Sequence, residues 1–378
     1  MKTKNLAALA AIATLLGVAG ASAAPFDSGS TGAYGSINIT GNTTLAMPAD
    51  GVFHCTTINV GSGFTLRFTK NPLNTPVYLL ATGAVTITGA IDLSGSGSSG
   101  GAPGSGGPGG FDGGYGGFGV GANTTGGDGQ GPGGGRNISQ WWGAAHVTGS
   151  TLNTNKYGNA LCSPLIGGSG GAGGNGNPGS GGGGGGGAIL IAANTSITVN
   201  GNVTANGAVG YAGGSGGAVR LVAPLVNGNG SLAVSGGGGF SGYNGSGGRI
   251  RVDCEDRYAF RSLTMNGIAT RGAQMFVFPP TPIARLDIIE AAGNAIPEGT
   301  GNLVQVDLPA GSTINRTVRV QGRNFTGVVP ITVVVISENR PSTRYDAEID
   351  MNTGNPAAVT VDVVIPDGTI SRIQTWTR

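Results

Sequence analysis

Glycine stands at positions 101, 104, 107, 110, 113, 116 and 119 without interruption, in the stretch GAPGSGGPGGFDGGYGGFGVG. Glycine loses more conformational freedom on ordering than any other residue, so a chain that keeps this phase needs a structure that offsets the loss. The phase recurs. Gly167, Gly170, Gly173, Gly176, Gly179, Gly182 and Gly185 form a second run, Gly207, Gly210, Gly213 and Gly216 a third, and Gly236, Gly239, Gly242, Gly245 and Gly248 a fourth. A flexible linker is also glycine-rich but has no reason to hold phase.

A polyproline-type backbone has such a reason. It is a left-handed helix with three residues per turn, rising about 3.1 Å per residue and making no internal hydrogen bonds. Glycine at every third position leaves one edge as bare backbone, along which a neighbouring helix approaches until N–H and C=O groups bond sideways. In GGSGGAGGNGNPGSGGGGGGG, residues 167–187, two edges in three are glycine, which admits neighbours on two sides. Each glycine costs on the order of 1 kcal/mol relative to alanine, so only a packed layer of such helices is stable. Seven triplets would span about 65 Å, which favours folding back into hairpins. Collagen shares the period but needs a long run rich in proline, and the first run holds only Pro103 and Pro108.

A second pattern separates the glycine blocks. TPVYLLATGAVTITGAIDLSG from 75, GGAILIAANTSITVNGNVTANG from 186, GGAVRLVAPLVNGNGSLAVSGG from 216 and GGRIRVDCEDRYAFRSLTMNG from 247 each give an apolar strand, a turn, an alternating strand and then glycine. The last three start 30 and 31 residues apart, the spacing of stacked units that bury their apolar faces only against one another. Val85, Ile87 and Ile91, like Ile197, Val199 and Val203, put apolar side chains on one face. Thr88-Gly89 and Asn200-Gly201 read as turns that reverse the chain.

From 283 to 378 charge returns, with 18 charged residues in 96. Seven strand-like segments follow one another there: ARLDIIEA, NLVQVDLPA, RTVRVQGRN, ITVVVIS, RYDAEID, AVTVDVVIP and ISRIQTWTR. That spacing indicates an immunoglobulin-like sandwich. The expected fold class is all-β: β-solenoid or β-sandwich units with a slab of packed polyglycine-II helices projecting from their end, plus the C-terminal sandwich. The expected divisions are a signal peptide (1–23), an N-terminal arm with one strand (24–50), a glycine-rich repeat domain (51–278), a stiff linker (279–282) and the sandwich (283–378). The arm strand, Ser36 to Thr40, either folds back on its own sheet or adds to a neighbour's edge.

The opening MKTKNLAALAAIATLLGVAGASAAPF has two lysines, an apolar run and Ala21-Ser22-Ala23, the pattern of a secretory signal peptide cleaved after Ala23. The expected product is extracellular. Without Lys2 and Lys4 the 20 basic residues become 18, against 18 acidic ones. A surface near neutrality favours association and argues against nucleic acid or an anionic membrane as partner. In an oxidising compartment Cys55, Cys162 and Cys254 amount to one disulfide and one odd thiol, with the pairing open.

Groups for chemistry are scarce. Residues 95–250 hold 57 glycines in 156 positions and six charged side chains. His54 and His146 are too few for a three-histidine metal centre and suit surface or turn positions. Asp112 and Asp128 offer a glycosidase-type pair, but inside glycine text. Asp253, Glu255, Asp256, Arg257 and Arg261 suit a solvated turn, a domain-contact salt bridge or a cation site. No catalytic, cofactor-binding or metal residue is expected. The exception to the glycine monotony is RNISQWWGAAHVTGS, where Trp141 and Trp142 suit a cap over the slab, a subunit contact or a sugar platform.

The blocks DGVFHCTTINVGSGFTLRFTKNPLNTPVYLLATGAVTITGAIDLSG, YGNALCSPLIGGSGG, GGGGAILIAANTSITVNGNVTANG and GGAVRLVAPLVNGNGSLAVSGG resemble a widespread group of exported bacterial glycine-rich repeat proteins. The resemblance spans nearly the whole mature chain and implies an extracellular protein, without bringing an activity. Cys55 and Cys162 depart from the group's pattern. The expected function is that of a secreted structural subunit, not an enzyme, which assembles with itself into a filament or matrix. The alternatives are an adhesin that binds surface glycans through the 120–166 loop, an ice-binding protein, or a β-helix polysaccharide lyase using Asp112 or Asp128.

Overall fold

The computed structural model describes residues 25–118, 124–138, 141–150, 152–176, 179–256, 258–279, 281–300, 303–309, 311–338 and 341–378. The expected signal peptide (1–23), Gly119 and Arg257 lie outside the described residues.

The chain is all-β. Strands β1 (Gly35–Ile39), β2 (Thr43–Ala46), β3 (Val52–Val60) and β4 (Thr65–Thr69) begin a stack of parallel turns. Three turns of three strands follow. They are β5 (Val77–Ala81), β6 (Val85–Ile87) and β7 (Ala90–Asp92); β8 (Ala188–Ala193), β9 (Ser196–Val199) and β10 (Asn202–Thr204); and β11 (Ala218–Val222), β12 (Leu225–Asn227) and β13 (Ser231–Ala233). β14 (Arg249–Asp253), β15 (Thr264–Asn266) and β16 (Ile268–Gly272) end the stack. Equivalent strands pair in parallel: Ile189 lies beside Val219 and Val219 beside Ile250, while Ile91, Val203 and Leu232 form a second row. First and second strands share a ten-stranded sheet that divides at β3, whose first half pairs with β5 and second half with β6; third strands form a six-stranded sheet.

Alternation sets the core. Leu79, Ile191, Leu221 and Val252 from first strands meet Ile197, Val199 and Val203, all fully buried. The alternate residues Leu80, Leu190 and Val222 point the other way, yet Phe26, Leu165 and Val277 cover them. Burial on both faces explains the unbroken apolar run AILIAA in β8.

The turns differ from expectation. Thr88-Gly89 and Asn200-Gly201 do not reverse the chain: β6 and β7 join different sheets, each pairing in parallel with the next turn. A Cβ on Gly89 would lie 2.2 Å from the Gly61 carbonyl oxygen, one on Gly201 1.8 Å from that of Gly89, and one on Gly230 2.1 Å from that of Gly201. Glycine here serves the close stacking of corners. The N-terminal arm holds two strands, and both pair within the chain, β1 with β3 and β2 with β4.

Asp253, expected in a solvated turn, is fully buried, 3.1 Å from the Arg220 guanidinium and 2.6 Å from that of Arg251. Arg220 also lies 4.3 Å from the centroid of the Phe276 ring. Glu255 and Asp256 are exposed. Cys55 and Cys162 are buried free thiols, so the expected disulfide is not formed. Cys55 belongs to the interior cluster and Cys162 to the one outside the sheet.

After 282 come β17 (Arg285–Ala291), β18 (Asn294–Ala295), β19 (Asn315–Arg323), β20 (Val328–Ser337), β21 (Thr343–Asp350), β22 (Ala357–Val364) and β23 (Ser371–Thr377). They form two antiparallel sheets, β18-β17-β19-β22 and β21-β20-β23, around Val318, Val320, Ile331, Val333 and Ile349. Six of the seven expected strands are present. NLVQVDLPA forms none among its described residues, and the two-residue β18 instead closes a hairpin with β17.

Replacing Asp253 by Ala is expected to strand two guanidinium groups in the interior and to cost about 3–5 kcal/mol. Arg220→Met, which keeps the Arg251–Asp253 pair, should lose far less. Urea denaturation midpoints at constant m-value distinguish the two.

Candidate functional site: glycine rods and their shared tip

The glycine blocks leave the stack at one corner only, between the third strand of a turn and the first strand of the next: 93–187, 205–217 and 234–248. The slab therefore flanks the stack and does not project from its end. Parallel pairing continues past the strands. Ala205 N–H donates to the Ala233 carbonyl, and beyond it Gly207 donates to Ser235 and Gly210 to Gly238, three residues apart.

Residues 179–187 form the central rod, bonded to six neighbouring segments. Gly179, Gly182 and Gly185 donate to Gly117, Gly114 and Phe111; Gly181, Gly184 and Gly187 to Gly100, Ser96 and Leu93; Gly183 and Gly186 to Ala212 and Ser215. Each third residue thus serves one neighbour. The rod's own carbonyls accept from 101–107, 167–176 and 205–211, as in Gly104 to Gly182, Gly171 to Gly183 and Ala208 to Gly184.

The absence of Cβ makes this approach feasible. A Cβ on Gly104, Gly107, Gly110, Gly113 or Gly116 would lie 1.9–2.4 Å from a neighbouring carbonyl oxygen, and so would one on Gly167, Gly170, Gly173, Gly179, Gly182 or Gly185. Gly101 is looser, at 3.2 Å, and Gly176 instead needs its positive φ of 127°. The seven consecutive glycines 181–187 lie in this rod, which has neighbours on every side.

Away from the stack, aromatic side chains from three of the segments meet, and large apolar side chains stay exposed. Phe118, Ile138, Val209 and Phe240 are 76%, 61%, 64% and 63% exposed. Trp141 meets Tyr211 edge-on at 5.1 Å and Tyr243 at 5.8 Å, and Tyr211 stacks on Phe240 at 5.4 Å. The Tyr211 ring lies against Gly174, where a Cβ would come within 2.5 Å of it. The Trp pair is thus divided: Trp141 joins the aromatic tip, whereas Trp142 lends its main chain to the lattice, accepting from Ala172 and donating to Arg136. Sequence reasoning missed Tyr211, Phe240 and Tyr243. Their signal is position: Tyr211 and Phe240 each directly follow a phased glycine, Gly210 and Gly239.

The polar candidates hold the rods in place. Asp112 accepts from the Gly106 N–H and pairs with Lys70 at 2.9 Å. Asp128 accepts from the Asn137 N–H and lies 3.4 Å from Arg344 of β21, whose Nη2 donates to the Gly129 carbonyl at 2.6 Å. With Trp376 against Phe111 at 5.8 Å, these contacts dock the C-terminal unit on the slab's flank. His146 is not at the surface. Its ring stacks on Tyr157 at 4.4 Å, and burial, aided by the Arg249 charge, holds its pKa down to about 4. Among the described residues no group of three His, Cys, Asp or Glu side chains is placed to hold a metal, and no helix is long and apolar enough to cross a membrane. No family model, curated protein or solved structure matches the chain.

Gly182→Ala is expected to break the slab, seen as loss of amide-exchange protection across 93–187. Gly247→Ala should be neutral or gain about 0.4–1 kcal/mol, because its Cβ would meet nothing closer than the Val234 carbonyl oxygen at 3.8 Å. For His146, the unfolded chain takes up a proton near 6.5 while the folded one stays neutral to about 4. Stability should therefore fall as pH drops through that window. His146→Phe, which preserves the stack on Tyr157, should flatten this part of the melting-temperature profile.

Proposed function

We propose that this chain is a secreted, non-enzymatic structural subunit that associates with its own copies into an extracellular filament or matrix. In this reading the three-strand turns are a β-solenoid, the rods are polyglycine-II helices and the C-terminal unit is an immunoglobulin-like sandwich. The observation that carries the reading is the tip. Trp141, Tyr211, Tyr243 and Phe240 cluster there, and four large apolar side chains of the glycine blocks, Phe118, Ile138, Val209 and Phe240, are each more than 60% exposed. Exposed apolar clusters of this kind mark interaction sites, and neutrality removes the repulsion between copies.

A second reading rests on Trp141, Tyr211, Tyr243 and Phe240 as a stacking platform for a surface glycan. Negative-stain microscopy and light scattering of the secreted protein separate the two. Ordered multimers are expected, and Val209→Ser with Phe240→Ser should reduce their lateral association. A monomer at high concentration that retains a polysaccharide on an affinity column would favour the glycan reading instead.

A further inference from the structure

β23 ends its sheet and pairs with β20 on one side only. The bonds from Glu338 N–H to the Ile370 carbonyl and from Arg378 N–H to the Pro330 carbonyl fix the alternation of this antiparallel pair. Even-numbered residues of β23 therefore bond to β20, and Ser371, Ile373, Thr375 and Thr377 turn their N–H and C=O groups to the open edge. Among the described residues none of these groups has a hydrogen-bond partner. The edge also lacks the usual guards, having no proline, no lysine and a single charge, Arg372.

The same chain contains a strand-like segment outside any sheet. Residues 303–309, LVQVDLP, alternate Val304, Val306 and Leu308 with Leu303, Gln305 and Asp307, yet belong to no sheet. Leu303 and Val304 are 60% and 43% exposed. Among the described residues the segment's one engaged main-chain group is the Pro309 carbonyl, which accepts from Ser312.

We infer that residues 303–309 of one copy add as a strand to the open edge of β23 in a second copy. The inference rests on the self-association proposed above and names its interface. Main-chain bonds supply the attachment, and Val304, Val306 and Leu308 extend the apolar face that Ile373 shares with Val333 and Ile331. The contact joins two different surfaces, so it repeats head to tail, as an open filament or a closed ring according to the rotation between copies.

The test is the double variant Val304→Pro, Val306→Pro, which removes two N–H donors from a segment that makes no ladder in the isolated chain. Light scattering should show assemblies of clearly lower mass than those of the unaltered protein, with the melting temperature unchanged. A synthetic peptide of residues 303–309, added to the unaltered protein, should shorten its assemblies. Unaltered protein that assembles while the double variant assembles equally well, or while the peptide has no effect, overturns the strand addition and leaves self-association standing. Unaltered protein that stays monomeric overturns both.

Discussion

The lateral main-chain hydrogen bond between glycine rods is the interaction on which this architecture depends. At many positions it brings a neighbour's carbonyl to within about 2 Å of the place a Cβ would occupy, as at Gly107 beside Leu93 and Gly173 beside Tyr115. Glycine text that elsewhere signals a flexible linker therefore marks the most tightly packed part of the chain. Every bond in the lattice satisfies a group that would be expensive to bury alone, and the gain is collective. A single rod in water would lose backbone entropy and gain nothing.

Strands and rods are one continuous ladder. The row Ala205–Ala233, Gly207–Ser235, Gly210–Gly238 keeps the same neighbours while the bonded period changes from two to three. This continuity gives the slab its registration. Glycine backbones are chemically alike, so nothing in the rods themselves selects a partner or a phase. The selection comes from the anchored ends, where Ile189, Val219 and Ile250 or Ile91, Val203 and Leu232 fix each turn against the next through the interior core. Charge plays a subordinate part, seen in the buried Arg220–Asp253–Arg251 group, the Lys70–Asp112 pair and the Asp128–Arg344 contact with the C-terminal unit.

The proposed role follows from where the irregular residues fall. Side chains too large for the lattice are displaced to the apices, and the apolar ones, Phe118, Ile138, Val209 and Phe240, become a surface because the interior has no space for them. At the other unit, the unpaired edge of β23 and the strand-like segment 303–309 present main-chain groups. In the proposed reading these are two kinds of adhesive surface, one apolar and one made of backbone.

Much of this was legible in the residues. The phase of three identified the rods and the reason for glycine, and the period of two identified the strands and the interior positions Ile197, Val199 and Val203. These are local properties, fixed by the geometry of three residues per turn and by alternation across a pleat. Tertiary structure alone decided the rest. Thr88-Gly89 and Asn200-Gly201 bend the chain because the neighbouring turn occupies their corner, and Asp253 and His146 are buried because segments distant in sequence cover them. Trp141 meets Tyr211 and Tyr243 because three of the segments come together away from the stack. Sequence specifies how closely a backbone can be approached; which backbone approaches is set by the packing of the anchored strands, since identical glycine rods carry no information of their own about their partners.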